Sequence, residues 1–326
     1  MQEWLEARGG QVSSLELDYF PDGAEDVEPS SSECSLLLPC SSLTRLTSLN
    51  LAHLRVTFHT QHSSISHCVS TSSKQPASTA HALAAAPCSS DNAAMQAMRP
   101  SGHLADAAGG SRCFLPALQE LELHRCELSH GDFLQLSQLT SLTSLELQHV
   151  TLCTAEWAPI AAQQVCEAFA AVLQQLQALK SLKFADGVVL QDPVAALAPL
   201  STMQRLQDLS LCSGSWSTAS LAHLPSSMTR LDLNGYVVGS GLGTVEVTAA
   251  SLPHLPLLRA ANLSWVLLEP WVIAALKGLT WLSISNVLLT TPGVADAADQ
   301  EQPALRAFLL ELAKLTQLQV GAAACA

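Results

Sequence analysis

Charge is scarce in this sequence, and positive charge most of all. Charged residues make up 13% of the 326 positions, about half the ~25% of an ordinary soluble protein. Only 15 Lys and Arg stand against 28 Asp and Glu, a formal net charge of −13. That balance repels phosphate backbones and points away from nucleic acid as a partner. Apolar runs are short as well. None approaches the ~18 residues of a membrane-spanning helix, and residues 1–8 show no basic-then-apolar leader. These absences lead to the expectation of a cytoplasmic or nuclear protein with no membrane partner. The ten cysteines form no C-x-x-C pair and no zinc-type spacing with histidine, so they read as small buried apolar residues. Catalytic motifs are missing too. There is no G-x-S-x-G, no G-x-x-x-x-G-K-(S/T) and no H-E-x-x-H, and the glycines at 239, 241 and 243 have no lysine close behind them to meet a phosphate. The expectation is a chain without catalytic residues, cofactor or metal.

What the sequence has instead is one phrase, repeated. It reads LTSLTSLELQHVTL from Leu139 to Leu152 and LKGLTWLSISNVLL from Leu276 to Leu289. The same apolar positions align about ten times. They run through Leu15 and Leu17, Leu49 and Leu51, Leu121 and Leu123, Leu145 and Leu147, and Leu182 and Phe184. They continue through Leu209 and Leu211, Leu231 and Leu233, Ala261 and Leu263, Leu282 and Ile284, and Leu318 and Val320. Within each copy apolar and polar residues alternate, which is the period of a strand with one buried face. From Leu121 onward the copies lie 24, 37, 27, 22, 30, 21 and 36 residues apart. The longer intervals predict helices. Val165, Phe169, Val172, Leu173 and Leu176 recur at helical spacing, while Asp192-Pro193, Glu269-Pro270 and Gln302-Pro303 mark helix starts and Gly278 a stop. Strand, helix, strand in this order requires a parallel sheet with right-handed crossovers.

The phrase L-x-x-L-x-(L/I)-x-x-V-x-L and its spacing resemble the leucine-rich repeat family, whose repeats are roughly 20–29 residues long. The likeness is greatest to the ribonuclease-inhibitor-like branch and covers most of residues 1–56 and 113–320. The resemblance implies an α/β solenoid, with a curved parallel sheet on the concave face and helices and loops on the convex face. It implies a single repeat domain over residues 1–326 that acts as a non-catalytic protein-interaction module. One departure is systematic: the family's polar residue after the strand survives only as Cys126, with Leu54, Val150, Tyr236, Val266 and Val287 elsewhere. Those turns must then be satisfied by backbone pairing or water. Trp4 and Leu5, followed by Gly10, Val12, Leu15 and Leu17, also resemble the cap that opens the array in F-box substrate receptors. That likeness implies the substrate-recognition part of a ubiquitin-ligase adaptor, its F-box expected ahead of Met1. A structural scaffold without a discrete groove is the third alternative.

Residues 57–112 break the array with Ser, Ala, His and Gln, too few large apolar groups to offset backbone entropy, and predict a disordered insertion. His59, His62, His67 and Cys68 within it are read as part of a solvated linker rather than as metal ligands. The candidate partner site comes from strand alternation, which turns every second side chain away from the core. The middle column is Glu16, Asn50, Glu122, Glu146, Lys183, Ser210, Asp232, Asn262, Ser283 and Gln319, flanked by residues including Asp18, Glu120, His124, Gln148, Asp208, Arg230, Asn234, Trp281 and Gln317. Acidic groups dominate these positions, and Trp281 has no burial reason to stand among them. The binding residues expected from this pattern are Glu120, Glu122, His124, Glu146, Gln148, Asp208, Arg230, Asp232, Asn234 and Trp281. They suit a protein or peptide of basic or mixed charge.

Overall fold

In the computed structural model the described residues are 9–18, 35–39, 42–59, 115–153, 161–185, 190, 192–212, 216–235, 246–252, 255–289 and 301–315. Contacts divide the chain into two units, residues 1–60 with 112–326 and residues 61–111. The second lies wholly outside the described residues. The remaining calls on Trp4, Leu5, His62, His67, Cys68, Tyr236, Gln317, Leu318, Gln319 and Val320 fall outside them as well.

Among the described residues nine strands form one parallel sheet. In chain order they are β1 (Ser14–Asp18), β3 (Ser48–Ala52), β5 (Glu120–His124), β7 (Ser144–Gln148), β9 (Ser181–Phe184), β10 (Asp208–Leu211), β11 (Arg230–Asn234), β13 (Ala260–Ser264) and β15 (Trp281–Ser285). Register is unbroken. Leu49 stands opposite Leu121, Leu121 opposite Leu145, Leu145 opposite Leu182, and the column continues through Leu209, Leu231, Ala261 and Leu282. All of these are buried. A leucine-rich-repeat solenoid of α/β class is the architecture, as the spacing required. The 72-residue interval between Leu49 and Leu121 is crossed with no slip, because a one-residue shift would turn both leucines to the wrong face.

Most strands of this sheet are preceded by the same tight turn, in which an apolar residue's N–H donates to the carbonyl three residues earlier. Leu46 bonds Leu43, Leu118 bonds Leu115, Leu142 bonds Leu139 and Leu179 bonds Leu176. Leu206 bonds Met203, Leu258 bonds Leu255 and Leu279 bonds Leu276. Leu315 bonds Leu312 in the same way at the end of the described chain. The turn and the strand are thus one recurring backbone unit, with apolar residues at its corners, nearly all of them buried.

The side opposite the main sheet differs from the expectation of helices and loops. The tails of the repeats pair into two further parallel sheets. One comprises β2 (Ser35–Pro39), β4 (Arg55–His59), β6 (Glu127–Ser129) and β8 (Thr151–Cys153). The other comprises β12 (Glu246–Val247), β14 (Leu267–Leu268) and β16 (Leu288–Leu289). Their inward residues Val56, Leu128, Leu152, Val247 and Leu268 close the core from behind. Pairing in β4 continues to His59, three residues into the segment assigned to the insertion.

Helices occupy several connections, long and short. They are α1 (His130–Gln135), α2 (Ala162–Gln175), α3 (Pro193–Leu197), α4 (Val272–Ala275) and α5 (Glu301–Leu312). The expected stripe of α2 is buried at Phe169, Val172 and Leu173, and Leu176 beyond its end is buried too, while Val165 is only partly covered. The Phe169 ring packs 4.7 Å from Phe133 and 5.4 Å from Phe184, centroid to centroid. Asp192 caps α3 as its proline signal indicated, its carboxylate accepting from the Ala195 N–H at 3.0 Å. Gly278 is a correction. The helix stops at Ala275, three residues before Gly278, where a Cβ would meet the movable end of the Arg259 side chain at 2.7 Å and the Leu258 carbonyl at 3.2 Å.

Candidate functional site

The outward face of the nine-stranded sheet presents the columns that alternation defines. Glu16 is the register partner of Asn50, Asn50 of Glu122, Glu122 of Glu146 and Glu146 of Lys183. Ser210, Asp232, Asn262 and Ser283 continue the line. On the flank at the strand starts, Glu120 is followed by Ser144, Ser181, Asp208, Arg230, Ala260 and Trp281; on the other flank His124 pairs with Gln148, and Asn234 with Ser264. Strands lie about 5 Å apart, so each column is a ladder of side chains in van der Waals or hydrogen-bond reach.

Many of these side chains hold one another. Asn50 Nδ2 donates to Glu122 Oε2 at 3.0 Å, and Lys183 Nζ pairs with Glu146 Oε2 at 3.0 Å. His124 Nδ1 donates to Gln148 Oε1 at 2.7 Å, while its Nε2 lies 3.8 Å from Glu122 Oε2. Asn262 Nδ2 donates to Asp232 Oδ1 at 2.9 Å. The middle of the face is therefore an ordered polar ladder, and its acidity is partly neutralised at Glu146. Asp208 and Arg230 are register partners, yet among the described residues their charged groups form no ion pair. Glu120, Arg230 and Trp281 are exposed. Trp281 stands at the start of β15, the last described strand of this sheet, with 37% of its surface open, at the opposite end of the face from the Glu122 ladder.

Strand alternation missed one row. The residue directly after the strand is left-handed in five repeats: His53 (φ 58°), Arg125 (φ 50°), His149 (φ 50°), Trp265 (φ 55°) and Asn286 (φ 52°). A β-carbon makes that conformation costly by about 1 kcal/mol, and Asn and His tolerate it better than Arg or Trp. The backbone explains why it persists. The N–H of His53 donates to the His124 carbonyl at 2.9 Å, Arg125 to Gln148 at 2.7 Å and Trp265 to Ser285 at 3.1 Å, tying each repeat to the next. Gly235 occupies the corresponding place in its repeat, where a Cβ would sit 2.3 Å from the Trp265 carbonyl oxygen. This chain of N–H bonds supplies the satisfaction that the missing polar ladder would have given. The signal was present in the sequence, as His, Arg, His, Trp and Asn each standing one place before Leu54, Cys126, Val150, Val266 and Val287.

Cys126 keeps the family's polar role in its one repeat, its Sγ donating to the carbonyls of Leu51 at 3.2 Å and His124 at 3.3 Å. Burial pushes its thiol up to about 11 despite backbone bonds that act the other way, so it stays protonated and inert near neutral pH. Burial pushes the Cys153 thiol up as well. Cys126, Cys153 and Cys166 are free thiols. Among the described residues no group of three His, Cys, Asp or Glu side chains is placed to hold a metal ion, and no helix is long and apolar enough to cross a membrane.

Near the N-terminal end of the face, Glu16, Asn50, Ala52, His53, His124, Arg125 and Gln148 line an open depression of about 280 Å³. It joins the acidic middle column to the left-handed rim.

No family model matches the sequence, and no curated protein matches it. Solved structures do resemble the fold. An internalin from Listeria monocytogenes aligns at 14% identity and TM-score 0.39, covering 88% of this chain and 66% of that one. A leucine-rich-repeat protein of Leptospira interrogans aligns at 18% identity and TM-score 0.38, covering 87% and 63%. A TLR13–ssRNA13 complex aligns at 13% identity and TM-score 0.24, covering 90% and 53%. The chain thus spans about two thirds or less of the chains it resembles.

Proposed function

We propose that the chain is a non-catalytic interaction module that takes a basic or mixed-charge protein segment on the outward, concave face of its main sheet. The observation that carries this reading is the in-register face itself. Its acidic side chains are fixed by cross-strand bonds before any partner arrives, so little side-chain entropy remains to be lost on binding. The formal charge of −13 favours a cationic protein segment over nucleic acid, and Trp281 supplies an aromatic anchor of the kind that dominates interface energies. Free thiols at Cys126, Cys153 and Cys166 support a reducing compartment, the cytoplasm or nucleus. The helical connections α1, α2, α3 and α5 support kinship with the ribonuclease-inhibitor-like branch.

The test is surface plasmon resonance with the immobilised chain and a panel of lysine- and arginine-rich peptides at two salt concentrations. Saturable binding that Glu122→Lys weakens is the expected result. Binding of every peptide unaffected by Glu122→Lys and by Trp281→Ala would assign the wrong face.

A further inference from the structure

The geometry points to a seat for an anionic group, a phosphate or a carboxylate, at the rim formed by His53, Arg125 and His149. It rests on the reading above, because the group belongs to the same protein segment whose basic residues the sheet face receives. These three residues follow β3, β5 and β7, which are neighbours in the sheet, so the rim carries them on three successive strands. Backbone bonds to the next repeat hold His53 and Arg125 left-handed, and His149 shares the conformation at φ 50°. His tolerates that conformation better than Arg, and the backbone bond that holds Arg125 in it leaves the arginine side chain exposed at the rim.

Charge pairing sets Arg125 apart from the other cations nearby. Arg55 pairs with Glu127 at 2.7 Å and Lys183 with Glu146 at 3.0 Å, whereas Arg125 is exposed and has no acidic partner among the described residues. Both His53 and Arg125 line the depression of about 280 Å³, whose other wall includes Glu16 and Asn50. Gln148 accepts from His124 Nδ1 and turns that ring's Nε2 toward Glu122, leaving the rim to His53, Arg125 and His149.

The middle column and the rim are three residues apart along a strand, about 10 Å. An extended ligand can therefore place a cation against Glu122 and an anion against Arg125 with its two charged residues about three positions apart. A guanidinium flanked by imidazoles suits a phosphoryl or carboxylate group through charge-assisted bonds. The adjoining Glu16, Glu122 and Glu146 select against a nucleic-acid backbone, whose charges repeat without interruption.

Two probes test the seat on the full chain. Inorganic phosphate, titrated at constant ionic strength against chloride, is followed through the imidazole signals of His53, His124 and His149 by NMR. Saturable shifts at His53 and His149 that Arg125→Ala removes, with the circular dichroism spectrum unchanged, are expected. Shifts linear in phosphate, or saturable shifts that survive Arg125→Ala, overturn the seat. The second probe is one fluorescein-labelled lysine peptide made in three forms, with serine, phosphoserine or glutamate three residues from the lysine. The phosphoserine or the glutamate form should bind roughly tenfold more tightly than the serine form, and Arg125→Ala should erase that gain. Whichever form gains more identifies the source of the anion. A gain that persists in Arg125→Ala, or a uridine oligonucleotide that outcompetes all three peptides, overturns the proposal. If the serine peptide binds and neither phosphate nor the modified peptides respond, only the seat falls. If phosphate saturates while no lysine peptide binds, the seat stands and the basic-segment reading falls.

Discussion

The two ends of one sheet carry different chemistry on the same backbone. Around β3, β5 and β7 the outward face holds Asn50, Glu122, Glu146, His124 and Gln148, bonded to one another or to Lys183, with His53, Arg125 and His149 along the rim. Around β13 and β15 the same positions hold Ala260, Asn262, Ser264, Trp281, Ser283 and Ser285, with Trp265 on the rim. Among the described residues the exposed large apolar side chains all lie between Leu257 and Leu310. Register dictates where an outward side chain stands and leaves its character open, so a solenoid can hold charge at one end and apolar surface at the other. Charge accelerates encounter and is screened by salt, while apolar burial lengthens the bound state. The contrast predicts a division of labour between the two ends.

The sharpest way to break the comparison is to disturb the part both ends share. Leu145 is buried in the middle of the leucine column, whereas Ile284 on β15, the edge strand of the sheet, is only partly covered. Leu145→Asp places an unpaired charge in a dry core and should cost about 4 kcal/mol or more, enough to unfold the neighbouring repeats. Ile284→Asp should cost clearly less. Urea titration followed by circular dichroism measures both, and equal losses would show that the end of the array is packed as tightly as its centre.

How far the sequence can be read depends on what a position obeys. The inward columns were legible in full, because strand alternation and burial give the same answer at Leu121, Leu145, Leu182, Leu209, Leu231 and Leu282. The outward columns followed from the same period, so the candidate residues stand where alternation placed them. The second and third sheets were not legible. Tails as short as Leu267–Leu268 carry too few residues to show a period, and only stacking on their neighbours makes them strands. The rim was missed for a related reason: Arg125 and Trp265 are left-handed because of bonds to the next repeat, which no local propensity announces. Pairings such as Lys183 with Glu146 join residues 37 apart and required the register first.

The next largest effect belongs to the apolar end. Trp281→Ala should raise the dissociation rate of a bound basic peptide by about 2 kcal/mol, roughly thirtyfold, with little dependence on salt. A dissociation rate that moves with ionic strength in this variant would place the ring outside the contact. At the charged end the signature should invert. The double variant Glu122→Lys and Glu146→Lys should slow association severalfold at low ionic strength and much less at high, with dissociation nearly unchanged. Because Glu146 holds Lys183, the single change at Glu122 should retain more of the binding than the pair. Surface plasmon resonance at two salt concentrations separates these cases, and a pattern in which both ends alter the same rate constant would dissolve the division.

The smallest effect concerns the rim, where the two ends can be compared through one torsion angle. Arg125 and Asn286 occupy equivalent left-handed positions, at φ 50° and 52°. Asn adopts that conformation with little penalty, while Arg must crowd its β-carbon against its own carbonyl. Replacing each by glycine removes the crowding but adds freedom to the unfolded chain. Arg125→Gly should therefore come out more stable than the parent by up to about 1 kcal/mol, and Asn286→Gly close to neutral or slightly less stable. Thermal denaturation of the two variants measures the difference directly. A stabilising Arg125→Gly that also loses phosphate binding would mean that the strained arginine is kept for its guanidinium at the expense of stability, as residues at binding sites often are. If Arg125→Gly is instead destabilised as much as or more than Asn286→Gly, the arginine side chain is holding the turn, and the strain argument for a ligand at this rim fails with it.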